Sequence, residues 1–280
     1  MIEIPESLVI AQQLNETVKG KRIIEVKAAH TPHSFAWYSG DPQFYSRIME
    51  GRRIGKAAGI GCMIEIELES EDGAAEAYSF VVGDGANIRY FAPKDKLPDR
   101  YQTGIFFEDD SALICTVAMY GAMFLIQPAE YENPYYLVAK EKPMPGTEEF
   151  DYAYFKALRE EVSGKMSMKA FLATEQRIPG LGNGVLQDIL LEAGLHPKTK
   201  ISALREADWK RVYEAVVTVL QQIKELGGRD TERTLLGVSG GYATKLSKKT
   251  VGKGCCYCGT TIQKMNYLGG TVYFCPTCQK

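Results

Sequence analysis

No stretch of this chain is long enough to cross a membrane. The longest apolar run, residues 117–126, covers ten positions, against about 20 for a spanning helix. There is no internal repeat and no low-complexity segment, so neither a solenoid nor a biased linker is expected. The start lacks the positive cluster of a secretory signal and carries Glu3 and Glu6 instead, which argues against export and for a cytoplasmic protein. The seven cysteines are odd in number and five of them fall between positions 255 and 278. That clustering suits a metal site in a reducing compartment better than a disulfide framework. A net charge is also missing: 33 Lys+Arg stand against 35 Asp+Glu, a formal −2. At face value this argues against a nucleic-acid binder.

What is present changes that reading. Residues 1–150 hold 14 basic and 23 acidic side chains (−9), and residues 151–280 hold 19 and 12 (+7). Residues 229–280 alone carry 8 basic and 2 acidic groups. An acidic front half is joined to a basic back half, which points to a polyanion partner for the second. A length of 280 residues suits two domains, and 45% hydrophobic residues suffice for a sizeable core.

Ala11, Leu14 and Val18 recur at helical spacing, which predicts a helix over residues 6–20 ended by Gly20. Cys62, Ile64, Ile66 and Leu68 then alternate with Met63, Glu65 and Glu67, the period of a strand with one wet face. Further short strands are predicted at 86–91, 103–107, 112–116 and 122–126, a sandwich or barrel pattern. Asn133-Pro134 and Pro143-Met144-Pro145-Gly146 interrupt the periodicity. Beyond them, helices are predicted near 151–162, 167–176, 184–194 and 205–225, with a glycine-rich turn at 177–183. The divisions are a β-sandwich over 1–135, a linker over 136–150, a helical domain over 151–250 and a metal finger over 251–280.

That finger reads Cys255-Cys256-Tyr257-Cys258-Gly259 and Cys275-Pro276-Thr277-Cys278. Cys255, Cys258, Cys275 and Cys278 form C-x2-C-x16-C-x2-C, two thiolate pairs able to meet at the four corners of a structural zinc site. Cys256 could replace Cys255 in a C-x-C arrangement. One ion would supply folding free energy that so short a segment cannot obtain from a core. Cys62 and Cys115 read as small buried hydrophobes.

Gly180-Leu181-Gly182-Asn183 between two helices, followed by Ala193-Gly194-Leu195-His196-Pro197, resembles the helix–two-turn–helix element of the formamidopyrimidine-DNA glycosylase and endonuclease VIII family. The tail, down to Cys278-Gln279-Lys280, is similar to that family's zinc finger, and Glu3-Ile4-Pro5-Glu6 is similar to its opening. The resemblance implies an α+β multidomain fold. An N-terminal β-sandwich with a leading helix would be followed by a helical DNA-binding domain and a C-terminal zinc-finger β-hairpin. It implies a monomeric DNA-repair glycosylase with AP-lyase activity, acting on damaged duplex DNA in the cytoplasm or on the nucleoid. A catalytically impaired relative that only recognises damage is the alternative.

The resemblance implies site residues as well. In the family the nucleophile is the amine exposed when Met1 is removed, usually on proline; this chain has Ile2 there. Removal of Met1 before a bulky β-branched residue is expected to be inefficient. If Met1 stays, the amine moves outward by roughly 3.8 Å, enough to weaken a reaction that depends on near-contact placement. Glu3 and Glu6 match the family's acidic residues, Glu3 as proton-transfer group, and Lys56 is a fallback amine. For DNA contacts, Gly182 and Asn183 would present a helix N-terminus to a phosphate. Lys253 and Lys264 would clamp the backbone, and Tyr120 would stack or wedge. The family's finger arginine falls at Gly269 or Gly270, and its wedge methionine falls near Asp84.

Overall fold

The computed structural model describes residues 1–70, 76–83 and 85–280; Asp84 lies outside the described residues. The chain opens with helix α1 (Ile4–Thr17), begun at Glu3 with Pro5 in its first turn, a position where the missing N–H costs nothing. Among the described residues nine strands follow before the helical half. β1 (Ile23–Ala28), β7 (Thr103–Phe107), β8 (Ala112–Val117) and β6 (Ala86–Phe91) form one sheet in that order. The second sheet runs β2 (Ala36–Tyr38), β9 (Gly121–Ile126), β5 (Tyr78–Gly83), β4 (Met63–Glu69) and β3 (Arg53–Ile60). Only β2, on β9, pairs parallel among these strands. Ile64, Ile66, Phe80, Ile88, Ile105 and Phe107 fill the space between the sheets.

The alternation in β4 is observed, but its polar face is covered at Met63 and Glu65 while Glu67 and Glu69 stay exposed. Helix α3 (Pro134–Glu141), capped by the Asn133 side chain, packs on β3 and the covered end of β4. Tyr136 packs there with Ile60, Met63 and Val81. Its hydroxyl donates to Glu65 Oε1 at 2.8 Å, and Lys140 Nζ reaches Glu65 Oε2 at 3.0 Å. Residues 136–141 of the expected linker are therefore part of the sandwich wall, while Met144 and Phe150 pack on the helical core. Proline ended the sequence periodicity there because it started a helix.

The second half is helical, with α4 (Tyr152–Ala157), α5 (Met168–Ala173), α6 (Asn183–Glu192) and α7 (Glu206–Glu225). Helix α6 buries Val185, Leu186, Ile189, Leu190 and Leu191, apolar nearly all round as a central helix must be. Trp209 of α7 meets Phe171 edge-on at 5.1 Å in the same core. Helix α1 joins the two halves. Ile4 and Leu8 pack into the helical core, while Ile10, Ala11 and Leu14 belong to the sandwich core. The chain ends in a hairpin, β10 (Gln263–Tyr267) and β11 (Gly270–Phe274).

Candidate functional site

Helix α6 organises the site because it carries polar groups where its apolar faces end. At its N-terminus Gly184 N and Val185 N donate to the Glu3 carboxylate at 2.8 and 2.9 Å. Four N–H groups at a helix start have no partner within the helix, and the dipole there favours an anion. The chain supplies that anion from its own first turn. Gly184 is required: a Cβ there would stand 1.7 Å from Arg229 Nη1 and 2.8 Å from Glu3 Oε1. Gly180, at φ +80°, lets the turn lie on the β3–β4 connection, where a Cβ would come within 2.3 Å of the Gly61 carbonyl carbon.

Arg229 completes a buried charge cluster. Its Nε and Nη2 donate to the two Glu6 oxygens at 2.8 and 2.7 Å, and Nη1 stands 3.5 Å from Glu3. Its Nη2 also donates to the Met1 carbonyl at 3.3 Å. Glu3, Glu6 and Arg229 are all buried. Burial acts against the Arg229 charge, but Glu3 and Glu6 outweigh it and raise its pKa. Burial likewise pushes the Glu3 carboxyl up; Arg229 opposes this, Glu6 adds to it, and the two amides oppose it. The N-terminal ammonium of Met1 is ion-paired with Glu232.

Beside this cluster is a cavity of about 360 Å³ between the two halves. Met1, Ile2 and Glu3 line it with Cys62, Tyr120 and the 173–182 segment. The structure thus brings Ile2, Glu3, Gly182 and Tyr120 to one place. Glu6 lies behind Glu3, bound to Arg229. Ile2 is buried, its side chain packed into the sandwich core. Lys56 projects from β3 into solvent and is not among the cavity's lining residues. Cys62, from the β3–β4 connection, is.

The phosphate seat expected at the start of α6 is arranged differently, since Glu3 takes the amides of residues 184 and 185. Asn183 Nδ2 donates instead to Thr271 O of the hairpin at 2.9 Å, while its buried Oδ1 has no partner among the described residues. Gln187 Oε1 accepts from Tyr273 N at 2.6 Å. Asp188 accepts from Lys245 N and Leu246 N at 3.0 and 2.8 Å, and burial pushes its pKa up to about 6. Lys245 is paired with Glu192 and Lys249 with Asp230. Lys253 and Lys264 are exposed, with no ion pair among the described residues. The glycine-rich loop after α7 is pinned to the sandwich. Leu235 is buried in its core, its N donates to Gln13 Oε1 and its carbonyl accepts from Tyr90 N.

In the tail, the Sγ atoms of Cys255, Cys258, Cys275 and Cys278 all lie within 4.8 Å of one another. Cys255–Cys278 and Cys258–Cys275 approach to 3.8 and 3.5 Å. Thiolate–metal bonds of about 2.3 Å in a tetrahedron set edges of roughly 3.8 Å, so these four residues can hold a metal. Cys256 is exposed and outside the cluster, which settles the choice between it and Cys255.

No protein-family model matches the chain. A formamidopyrimidine-DNA glycosylase of Streptococcus pneumoniae is 30% identical over 200 residues, 69% of this chain and 71% of the relative. The chain belongs to the formamidopyrimidine-DNA glycosylase family. Other members span its full length: the Lactococcus lactis enzyme is 24% identical over 283 residues and that of Streptococcus pyogenes 28% over 286. The fold matches the crystal structure of Lactococcus lactis Fpg in complex with DNA containing an abasic site, with TM-score 0.82 and 23% identity over 99% of both chains. Fpg from Thermus thermophilus matches at TM-score 0.80. Against this family background, sequence reasoning missed Arg229, Asp188 and the cavity position of Cys62. The polar pair Gln187-Asp188 inside an apolar helical run was a usable signal for one of them. Arg229 follows two glycines in a loop, and nothing local announces a buried guanidinium.

Proposed function

We propose that this chain is a DNA-repair glycosylase that binds damaged duplex DNA in the cytoplasm, draws the damaged nucleotide into the cavity beside Glu3, and releases its base. One observation carries the reading: a buried carboxyl with a raised pKa faces that cavity next to the chain's N-terminus. Glu3 is held by two amides and a guanidinium, so its position needs no adjustment when a nucleotide enters. The named relatives of this family support the substrate class.

In the chemistry proposed, the N-terminal amine forms a bond to C1′ of the sugar as the C1′–base bond breaks. Glu3 moves the proton at the sugar. A Schiff base on the amine then allows strand nicking. Cys255, Cys258, Cys275 and Cys278 would hold one structural zinc, whose role is to fold the hairpin that α6 docks through Asn183 and Gln187. The exposed Lys253 and Lys264 would contact the backbone.

A second reading, recognition without excision, is favoured by the Met1 ammonium being engaged by Glu232 and by Lys56 lying outside the cavity. Intact mass reports whether Met1 is present, and borohydride trapping on an abasic-site duplex reports a Schiff base. Glycosylase action requires a trapped adduct, nicking or base release. Binding with none of these leaves the second reading. Glu3→Gln should lower base release by at least roughly a hundredfold, the usual scale of a proton-transfer group, while duplex affinity stays within a few-fold. Full activity in that variant would remove Glu3 from the mechanism.

A further inference from the structure

Helix α5 ends at Ala173, and the chain turns through Thr174, Glu175 and Gln176 before Arg177 and Ile178 re-enter the interior. Glu175 and Gln176 have φ of +59° and +48°. Among the described residues they are the one adjacent pair of non-glycine residues in the left-handed region. A Cβ disfavours that region, so something must hold it. Arg177 does. It is buried, and its Nη1 donates to the carbonyls of Ala170, Phe171 and Thr174 at 3.2, 2.8 and 3.4 Å, groups that a helix end leaves without partners. Its Nη2 pairs with Glu175 at 2.6 Å, and Lys142 Nζ donates to the Gln176 carbonyl at 3.1 Å.

The segment held in this way faces the cavity beside Glu3, which Thr174, Glu175 and Gln176 line. Other polar groups there are already engaged. Glu3 is held by two amides and Arg229, Glu175 by Arg177, and Thr174 Oγ1 donates to the Ala170 carbonyl at 2.7 Å. The Gln176 side-chain amide has no hydrogen-bond partner among the described residues. It is half-buried, and it offers a donor and an acceptor side by side in one plane. Backbone strain persists only where the surroundings enforce it, and it gathers where geometry serves a ligand.

We infer that Gln176 reads the edge of the base drawn into that cavity, by paired hydrogen bonds to an N–H lying beside a C=O. This rests on the proposed function and adds the residue that tells a damaged base from an intact one. Oxidation of a purine at C8 creates that pair of groups, because N7 gains a proton and C8 a carbonyl oxygen. Gln176 Oε1 accepts from the N–H and Nε2 donates to the oxygen. Intact guanine presents N7 as an acceptor beside a C–H, so it takes one bond of the two. One matched bond is worth up to about tenfold in affinity.

The test uses the full chain and three duplexes of one sequence that differ at a single central position. One carries guanine, one 8-oxoguanine on an uncleavable 2′-fluoro sugar, and one a tetrahydrofuran abasic analogue. Fluorescence anisotropy of labelled DNA reports each affinity. Wild type should prefer the oxidised duplex over the guanine duplex. Gln176→Leu, close in size but without the amide, should lower that preference about tenfold and leave the abasic analogue, which has no base to read, unchanged. Gln176→Gly should lose the same preference while its melting temperature holds or rises, because glycine accepts the left-handed backbone. No preference in wild type, or the same preference in Gln176→Leu, overturns the inference and leaves the proposed function standing. An equal loss on all three duplexes also overturns it, since the residue would then serve the fold or the grip on the backbone. Wild type that binds none of the duplexes overturns the proposed function and the inference with it.

Discussion

Two clusters are docked on helix α6, and they are held by opposite means. The thiol cluster of the hairpin comes from two short turns, each presenting two sulfurs placed where they could hold one metal ion. The charge cluster at the helix start is assembled from residues 1–6, 184–185 and 229, and the chain itself balances its charges. The first is a local device shaped to take an outside partner. The second needs the whole fold and no partner. This difference teaches where each cluster is vulnerable: the hairpin to loss of a ligand, the charge cluster to loss of any one member.

The sharpest way to separate them is to remove the metal. Chelation, or Cys275→Ala at the buried corner of the site, should unfold the hairpin while the sandwich and helical cores stay folded. Structural metal sites supply on the order of 10 kcal/mol in small fingers, far more than the few contacts from Asn183 and Gln187 can replace. Metal content, proteolysis of the tail and duplex affinity check this together. An intact, protease-resistant tail without metal would make the two clusters alike.

A smaller effect is expected at the other cluster. Arg229→Met leaves Glu3 and Glu6 buried without their counter-charge, which costs about 3–5 kcal/mol, read from denaturant unfolding. Adding Glu6→Gln should recover part of that loss, because the remaining charge, Glu3, keeps its two amides. No recovery in the double variant would mean that shape, not charge balance, holds the cluster.

The smallest effect belongs to a carboxylate of helix α6 itself. Asp188 is buried and its pKa stands at about 6, above the ordinary carboxylate value of 3.8. The folded state therefore holds a proton that the unfolded state has already released between about pH 4 and 6. By linkage, this group makes stability fall as pH rises through that window, by on the order of 3 kcal/mol, and flattens outside it. Asp188→Asn should remove that slope from the wild-type-minus-variant difference in melting temperature. An unchanged slope would assign the pH dependence to other groups.

Most elements were legible because their periodicity is local. The strands at 86–91 and 103–107 and the helix near 205–225 appear where apolar spacing put them. Helix α2 (Tyr45–Met49) and α3 were missed, one being too short to show a period and the other opening on a proline. Within the site, Glu3, Ile2, Tyr120 and Gly182 were named in advance and are found together at the cavity. Lys56 was named from the family resemblance, but it is exposed on β3 and lies outside the cavity's lining. Cys62 was read as a hydrophobe, since strand alternation says which face a residue takes and not what faces it.

The chain's own pattern determined which four cysteines converge, the sandwich-then-helices order of elements and the acidic-to-basic division, because each depends on spacing or on sums along the sequence. Tertiary structure alone decided what surrounds Glu3. A carboxylate two residues from the start finds its partners 181 and 226 positions away, at a helix terminus and a loop arginine. Its burial and raised pKa follow from their convergence. Spacing can be counted on a line, whereas electrostatic environment exists only once distant groups share a volume that water has left.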